Sequence, residues 1–187
     1  MDRSNARSTR VTSTLTAPPP PRTSGPPLDF EALYRAARDD VFAYVATLLR
    51  DRAAAEDVTA HAFERAYRKQ RSFKPSRGSE RAWLFGIARN AALDELRRRK
   101  RTAALAADPA DVESATPEDH AEAALRRAAV RAALERLQPR ERELVALKFH
   151  AGLDNAEIAA VLGVSVSNAG TQLHRAMTKL REAVEHA

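Results

Sequence analysis

Large apolar residues in this chain return every three or four positions, a period that lets a helix bury one face. In the first block Phe30, Leu33, Tyr34, Val41, Val45, Leu48 and Leu49 predict an amphipathic helix over about 29–50. Asp51 is placed to cap a second helix, whose stripe is Val58, Ala62, Phe63, Ala66 and Tyr67. The segment 72–78, Ser-Phe-Lys-Pro-Ser-Arg-Gly, is rich in breakers and reads as a loop. Ser79 can then cap a third helix, with Trp83, Leu84, Ile87, Ala88, Ala91 and Leu96 on its apolar face and the basic run Arg97 to Arg101 at its end. No strand-like alternation interrupts this block, so 28–101 reads as a three-helix domain.

The second block, 122–187, is punctuated differently. A helix is expected from near Glu118 to Leu137, and Pro139 suits the first position of another that runs through Phe149. Gly152 breaks it. Asp154, with Glu157 three residues on, forms a capping-box pattern for a short helix over Asn155 to Leu162. After Gly163-Val164-Ser165 a last helix carries Val166, Ala169, Leu173, Met177, Leu180 and Val184. A short capped helix, a glycine turn and a longer amphipathic helix make a helix-turn-helix. The expected class is therefore all-α: two small helical domains joined by a flexible acidic linker over 102–121, the C-terminal one a helix-turn-helix. The first 27 residues hold Pro18 to Pro21, Pro26 and Pro27 with few large apolar residues, and are expected to be a disordered tail.

Charge points to the partner. The net charge is +6, yet 102–122 carries six acidic residues and neither Lys nor Arg. That stretch is −6 and the remainder +12, so basic modules flank an acidic connector. Basic modules favour a polyanion. With no cysteine there is no disulfide, thiolate zinc site or cysteine nucleophile. The mean hydropathy of −0.48 and the lack of a long apolar run predict a soluble, cytoplasmic protein without membrane insertion.

Two groups of residues could carry function. At the start of the last helix Ser165, Ser167, Asn168, Thr171, Gln172 and Arg175 could face a major groove, where Asn and Gln pair with adenine and Arg with guanine. A plain helical hairpin would leave the same face merely solvated. In the first block Lys69, Arg71, Lys74, Arg77, Arg81 and Arg89 lie near Tyr67, Phe73 and Trp83. Cations that hold phosphates beside aromatics that receive bases suit single-stranded or melting DNA. Trp83 and Phe63 are nevertheless expected in the core, and the run 97–101 also fits a solvated helix end. Asp57 and His61 stand at i and i+4, but a pair alone does not make a metal site and reads as a surface ion pair. No cofactor and no enzymatic activity are expected, since the sequence holds neither a nucleophile motif nor a Gly-rich phosphate loop.

These residues resemble a known family. Ala55-Glu56-Asp57-Val58 through Phe63-Glu64-Arg65-Ala66-Tyr67 looks like the polymerase-binding segment of the extracytoplasmic-function (ECF, group 4) sigma factors of the sigma-70 family. Similar too are Arg77-Gly78-Ser79, Ala82-Trp83-Leu84 and Ile87-Ala88-Arg89-Asn90, with Asp94 and Arg97 behind them. The second block adds Leu137, Arg140-Glu141-Arg142-Glu143, Glu157-Ile158-Ala159 and Leu173-His174-Arg175-Ala176. The sequence departs from the pattern at Ala60, His61, Gly170 and Gln172.

The resemblance implies a factor that binds core RNA polymerase and directs promoter recognition, −10 melting and initiation. Core polymerase would meet Glu56, Asp57, Val58, His61 and Phe63. The −10 strand would meet Lys69, Phe73, Lys74, Arg77, Arg81, Arg89, Asn90, Arg97 and Arg98, and the −35 duplex the six residues of the last helix named above. It further implies an anti-sigma factor as a partner, and an acidic linker lying in the polymerase's RNA path. The segment 137–180 also resembles the DNA-binding domain of LuxR-type regulators, which leaves a helix-turn-helix regulator as the alternative; that family offers no account of 55–97.

Overall fold

The computed structural model describes residues 28–105 and 121–185, and they form helices joined by short turns, with no strand among them. The expected tail over 1–27 and most of the expected acidic linker, 106–120, lie outside the described residues. The first domain comprises α1 (Phe30–Leu49), α2 (Arg52–Lys69) and α3 (Glu80–Leu105), and the second α4 (Ala121–Arg136), α5 (Pro139–Phe149), α6 (Asn155–Leu162) and α7 (Val166–Glu185). The third helix thus runs past the basic run into the stretch expected to be linker.

The helix starts follow local chemistry. Asp29, Asp51 and Ser79 each accept a backbone N–H three residues on, from Ala32 (3.0 Å), Ala54 (3.1 Å) and Ala82 (3.1 Å), satisfying a donor with no partner inside the helix. Pro139 opens α5, while Asp154 and Glu157 make the reciprocal capping box that opens α6. The end of α1 is less ordinary. Arg50 closes it in the left-handed conformation, φ 54°, where glycine is the usual residue.

In the first domain Leu33, Ala37, Val41, Val45 and Leu49 of α1 face Ala55, Val58, Ala62, Phe63 and Ala66 of α2 and Leu84, Phe85, Ala88 and Ala92 of α3, all buried. The many alanines let the helix axes approach closely, and Phe85 and Tyr44 fill the remaining space edge to face, 5.4 Å between ring centroids. In the second domain Leu137, Val145 and Ala176 join α4, α5 and α7. Arg142 reaches back to the carbonyl oxygens of Leu134 and Leu137, both 3.1 Å, and so closes the C-terminal end of α4.

The two domains are packed together. Helix α5 lies on α1 and α6 on α3, and Leu144, Leu147, Leu153 and Ile158 of the second domain share one apolar core with the first.

Candidate nucleic-acid and polymerase interface

The loop between α2 and α3 folds as two tight turns, Gln70–Ser72 and Pro75–Arg77, with Phe73 extended between them. Gly78, at φ 134°, supplies a backbone state that side-chain-bearing residues rarely adopt, and returns the chain to Ser79. Phe73 is thereby laid against Trp83, ring centroids 5.6 Å apart and planes 57° apart. The loop and the exposed side of α3 bound a cleft of about 620 Å³. Lys69, Lys74 and Arg77 line it beside Phe73, Trp83 and Asn90, and Ala160 and Val161 of α6 line it from the second domain. Cations beside two aromatic faces and an exposed amide can hold a phosphate, stack a base and read its edge at one place. Trp83, expected in the core, is half-buried and belongs to this cleft as well.

The remaining cations assigned to the −10 strand have protein partners. Arg81 donates to Asp40 at 2.5 Å, to the His150 carbonyl at 3.0 Å and to the Ala151 carbonyl, and its guanidinium lies 5.3 Å from the Phe85 ring centre. Arg89 donates to Glu143 at 2.6 Å. Arg97 pairs with Asp94 at 2.9 Å, and Arg98 grips Glu95 with two bonds, 2.7 and 2.8 Å. Arg99 spans Glu95 (2.8 Å) and Asp51 (2.9 Å), tying the end of α3 to the start of α2. The bonds from Arg98 and Arg99 pull the Glu95 carboxyl down to about 2. Asp51 is held below the usual carboxylate range, first by the Ala54 N–H.

On α2 the residues assigned to the polymerase separate by face. Glu56, Asp57 and His61 are exposed, and Glu56 pairs with Arg52 at 3.3 Å. Val58 and Phe63 are buried, so they hold that surface up from beneath. Beside them lies an aromatic group. Phe63 packs edge-on against Tyr34 (4.8 Å) and Phe30 (6.4 Å), and Phe30 against Tyr67 (5.2 Å), leaving Tyr34 and Tyr67 exposed. The helical spacing of Phe30, Tyr34, Phe63 and Tyr67 carried the signal for this cluster.

In the helix-turn-helix Gly163, φ 69°, makes the left-handed turn between α6 and α7. Ser165 is the cap of α7, its hydroxyl accepting the Asn168 N–H at 3.2 Å. Ser167, Asn168, Thr171 and Arg175 are exposed on the first turns, while Gln172 is half-buried and donates to the Asn168 side-chain oxygen at 2.6 Å. A β-carbon at Gly170 would lie 3.4 Å from the Asn155 side-chain amide, an ordinary contact between α7 and the start of α6. The face offers amides, hydroxyls and one guanidinium, the groups that read base edges.

Comparison with known proteins agrees with this geometry. Residues 33–102 match the family model of sigma-70 region 2, and residues 127–180 that of sigma-70 region 4. The chain is 35% identical over 155 residues to the ECF RNA polymerase sigma factor BldN of Streptomyces coelicolor, which spans 81% of this chain and 58% of that protein. It is 32% identical over 165 residues to the ECF RNA polymerase sigma factor SigL of Mycobacterium tuberculosis, covering 86% of this chain and 93% of that one. Among solved structures, the sigma factor RpoE of Bartonella quintana, crystallised with the anti-sigma factor NepR, superposes with a TM-score of 0.73 at 25% identity, covering 84% and 97% of the two chains. On both domains, in their order, and on the likeness to SigL along nearly its whole length, this chain belongs to the ECF sigma factors of the sigma-70 family.

Proposed function

We propose that the chain is a group 4 sigma factor that binds core RNA polymerase in the cytoplasm, directs it to promoters and helps open the −10 element, without covalent chemistry of its own. The cleft between the α2–α3 loop and α3 supports this most directly, because cations, Phe73, Trp83 and Asn90 converge there in the domain that matches region 2. In this reading one or more bases of the −10 strand leave the stack and enter the cleft. Contacts with the aromatic faces and Asn90 offset the unstacking cost of a few kcal/mol, while Lys69, Lys74 and Arg77 hold the adjoining phosphates and Arg97 and Arg98 the duplex upstream. Arg81 and Arg89 join them once released from the partners described above.

The −35 duplex meets α7, with Ser167, Asn168, Thr171, Gln172 and Arg175 facing the groove and Ser165 presenting the helix. Core polymerase meets the exposed face of α2 at Glu56, Asp57 and His61, supported by Val58 and Phe63. The likeness to a sigma factor crystallised with an anti-sigma factor supports such a partner here too.

The two DNA sites can be tested apart, by promoter binding with holoenzyme reconstituted from core polymerase. Phe73→Ala and Asn90→Ala are expected to weaken binding to a fork with a single-stranded −10 element while sparing a −35 duplex probe. Asn168→Ala and Arg175→Ala should do the reverse, at about 1–3 kcal/mol per lost base contact. Equal losses on both probes for all four variants would argue against the assignment.

A further inference from the structure

The start of α7 is polar without being charged. Residues 165–174 hold no Lys, Arg, Asp or Glu, and the first Lys or Arg of the helix is Arg175. What this face offers a base edge is therefore set by the way its neutral donors and acceptors point. A hydroxyl rotates to suit either kind of partner, whereas a side-chain amide carries its acceptor at one end and its donors at the other. The direction in which Asn168 is turned decides which bases it can meet.

Asn168 is held at two points. Its backbone N–H is bound by the Ser165 hydroxyl at 3.2 Å, which fixes it in the first turn of α7. Its side-chain oxygen accepts an N–H of Gln172 at 2.6 Å, across the i, i+4 spacing that makes two side chains neighbours on one helix face. Gln172 is half-buried and Asn168 exposed, so Gln172 is the anchor and Asn168 the group presented. With its oxygen turned along the helix toward Gln172, Asn168 has its nitrogen and two N–H groups left for a groove. Among the described residues nothing else bonds to that nitrogen.

The base that fits follows from this. Adenine needs the amide oxygen and nitrogen side by side, the oxygen accepting from N6 and the nitrogen donating to N7. Asn168 does not present that pair while Gln172 holds its oxygen. Guanine shows two acceptors in the major groove, N7 and O6, and suits two N–H groups. Thymine O4 is a single acceptor, and the cytosine N4 amino group meets Asn168 donor to donor. An amide held in place before DNA arrives also loses less freedom on binding.

We infer that Gln172 is a positioning residue for base choice: it holds Asn168 with its nitrogen outward, so that Asn168 selects guanine in the −35 element. The inference rests on the −35 reading of α7 proposed above and assigns part of its specificity. The test is selection by holoenzyme, reconstituted from core polymerase, from promoter duplexes with a randomised −35 element, followed by sequencing. Binding to the −10 fork matches the amounts of active holoenzyme between variants. Wild type should favour guanine about fivefold or more at one position, the position that Asn168→Ala relaxes. Gln172→Glu puts a group that only accepts in place of the donor, so Asn168 must turn, donate to it and present its oxygen. The preference at that position should then move to adenine or cytosine, the bases with a major-groove amino group. Asn168→Ala combined with Gln172→Glu should abolish the new preference, since the carboxylate is not itself the reader. Adenine favoured by wild type at the Asn168-dependent position, guanine still favoured by Gln172→Glu, or a new preference that survives the loss of Asn168 would each overturn the inference and leave the −35 reading standing. Selection of no −35 sequence by wild type would overturn both.

Discussion

Glu95 keeps an arginine-dense helix end folded. One carboxylate takes Arg98 through two hydrogen bonds and Arg99 through a third, and Arg99 continues to the Asp51 cap of α2. Its folded value of about 2 lies below the ordinary 4.5, so its contribution is fully present above about pH 4.5 and is lost as pH falls through 2. Thermal unfolding followed from pH 6 to pH 2 should show Glu95→Gln melting below wild type at pH 6, the gap closing as acid protonates Glu95. Parallel curves throughout would mean that the arginines do not rely on it. Lys74 makes a different prediction, because its exposed side chain lines the cleft and makes no capping bond of its own. Lys74→Ala should weaken holoenzyme binding across promoter sequences and lower the slope of log affinity against log salt by about one, measured by a salt titration. Phe73 and Lys74 could be picked out of the sequence because loop breakers and cations surround them, whereas Asn90 came only through the family resemblance. The commitments of Arg81 and Arg89 could not, since their partners lie 41 to 70 and 54 positions away.

At the scale of the helix, chain chemistry sets most of the boundaries. The Asp51, Ser79 and Asp154 caps, Pro139 at the start of α5 and Gly163 after α6 are local signals, and each stands where the residues alone put it. Asp154→Ala should cost about 1 kcal/mol through loss of the bond to the Glu157 N–H. Gly163→Ala forces a β-carbon into a left-handed turn and should cost about 1–2 kcal/mol. Urea unfolding should read both, with unchanged m-values; no loss in either would mean that the turn tolerates rearrangement. Two boundaries were hidden. Arg50 ends α1 in a glycine-like conformation without being glycine, and it lies 3.6 Å from Glu135 of α4. Arg142 closes α4 from the next helix, a role that its place in a run of alternating charges does not reveal.

Across the molecule the division into two helical domains could be read in the sequence, because each repeats its own apolar period. Their packing could not. Glu143 sits in the charged run Arg140-Glu141-Arg142-Glu143, and only the fold brings Tyr44 and Arg89 to it. The contact packs the helix-turn-helix domain on the first domain around a buried arginine–glutamate pair.

The central claim is that this chain gives RNA polymerase its promoter choice. Run-off transcription with purified core polymerase, with and without the protein, on genomic promoter fragments tests it most directly. Discrete start sites that arise only with the protein and vanish with Asn90→Ala together with Phe73→Ala are the predicted result. Specific DNA binding in the absence of core, with no new starts in its presence, would contradict it and make the chain a helix-turn-helix regulator instead.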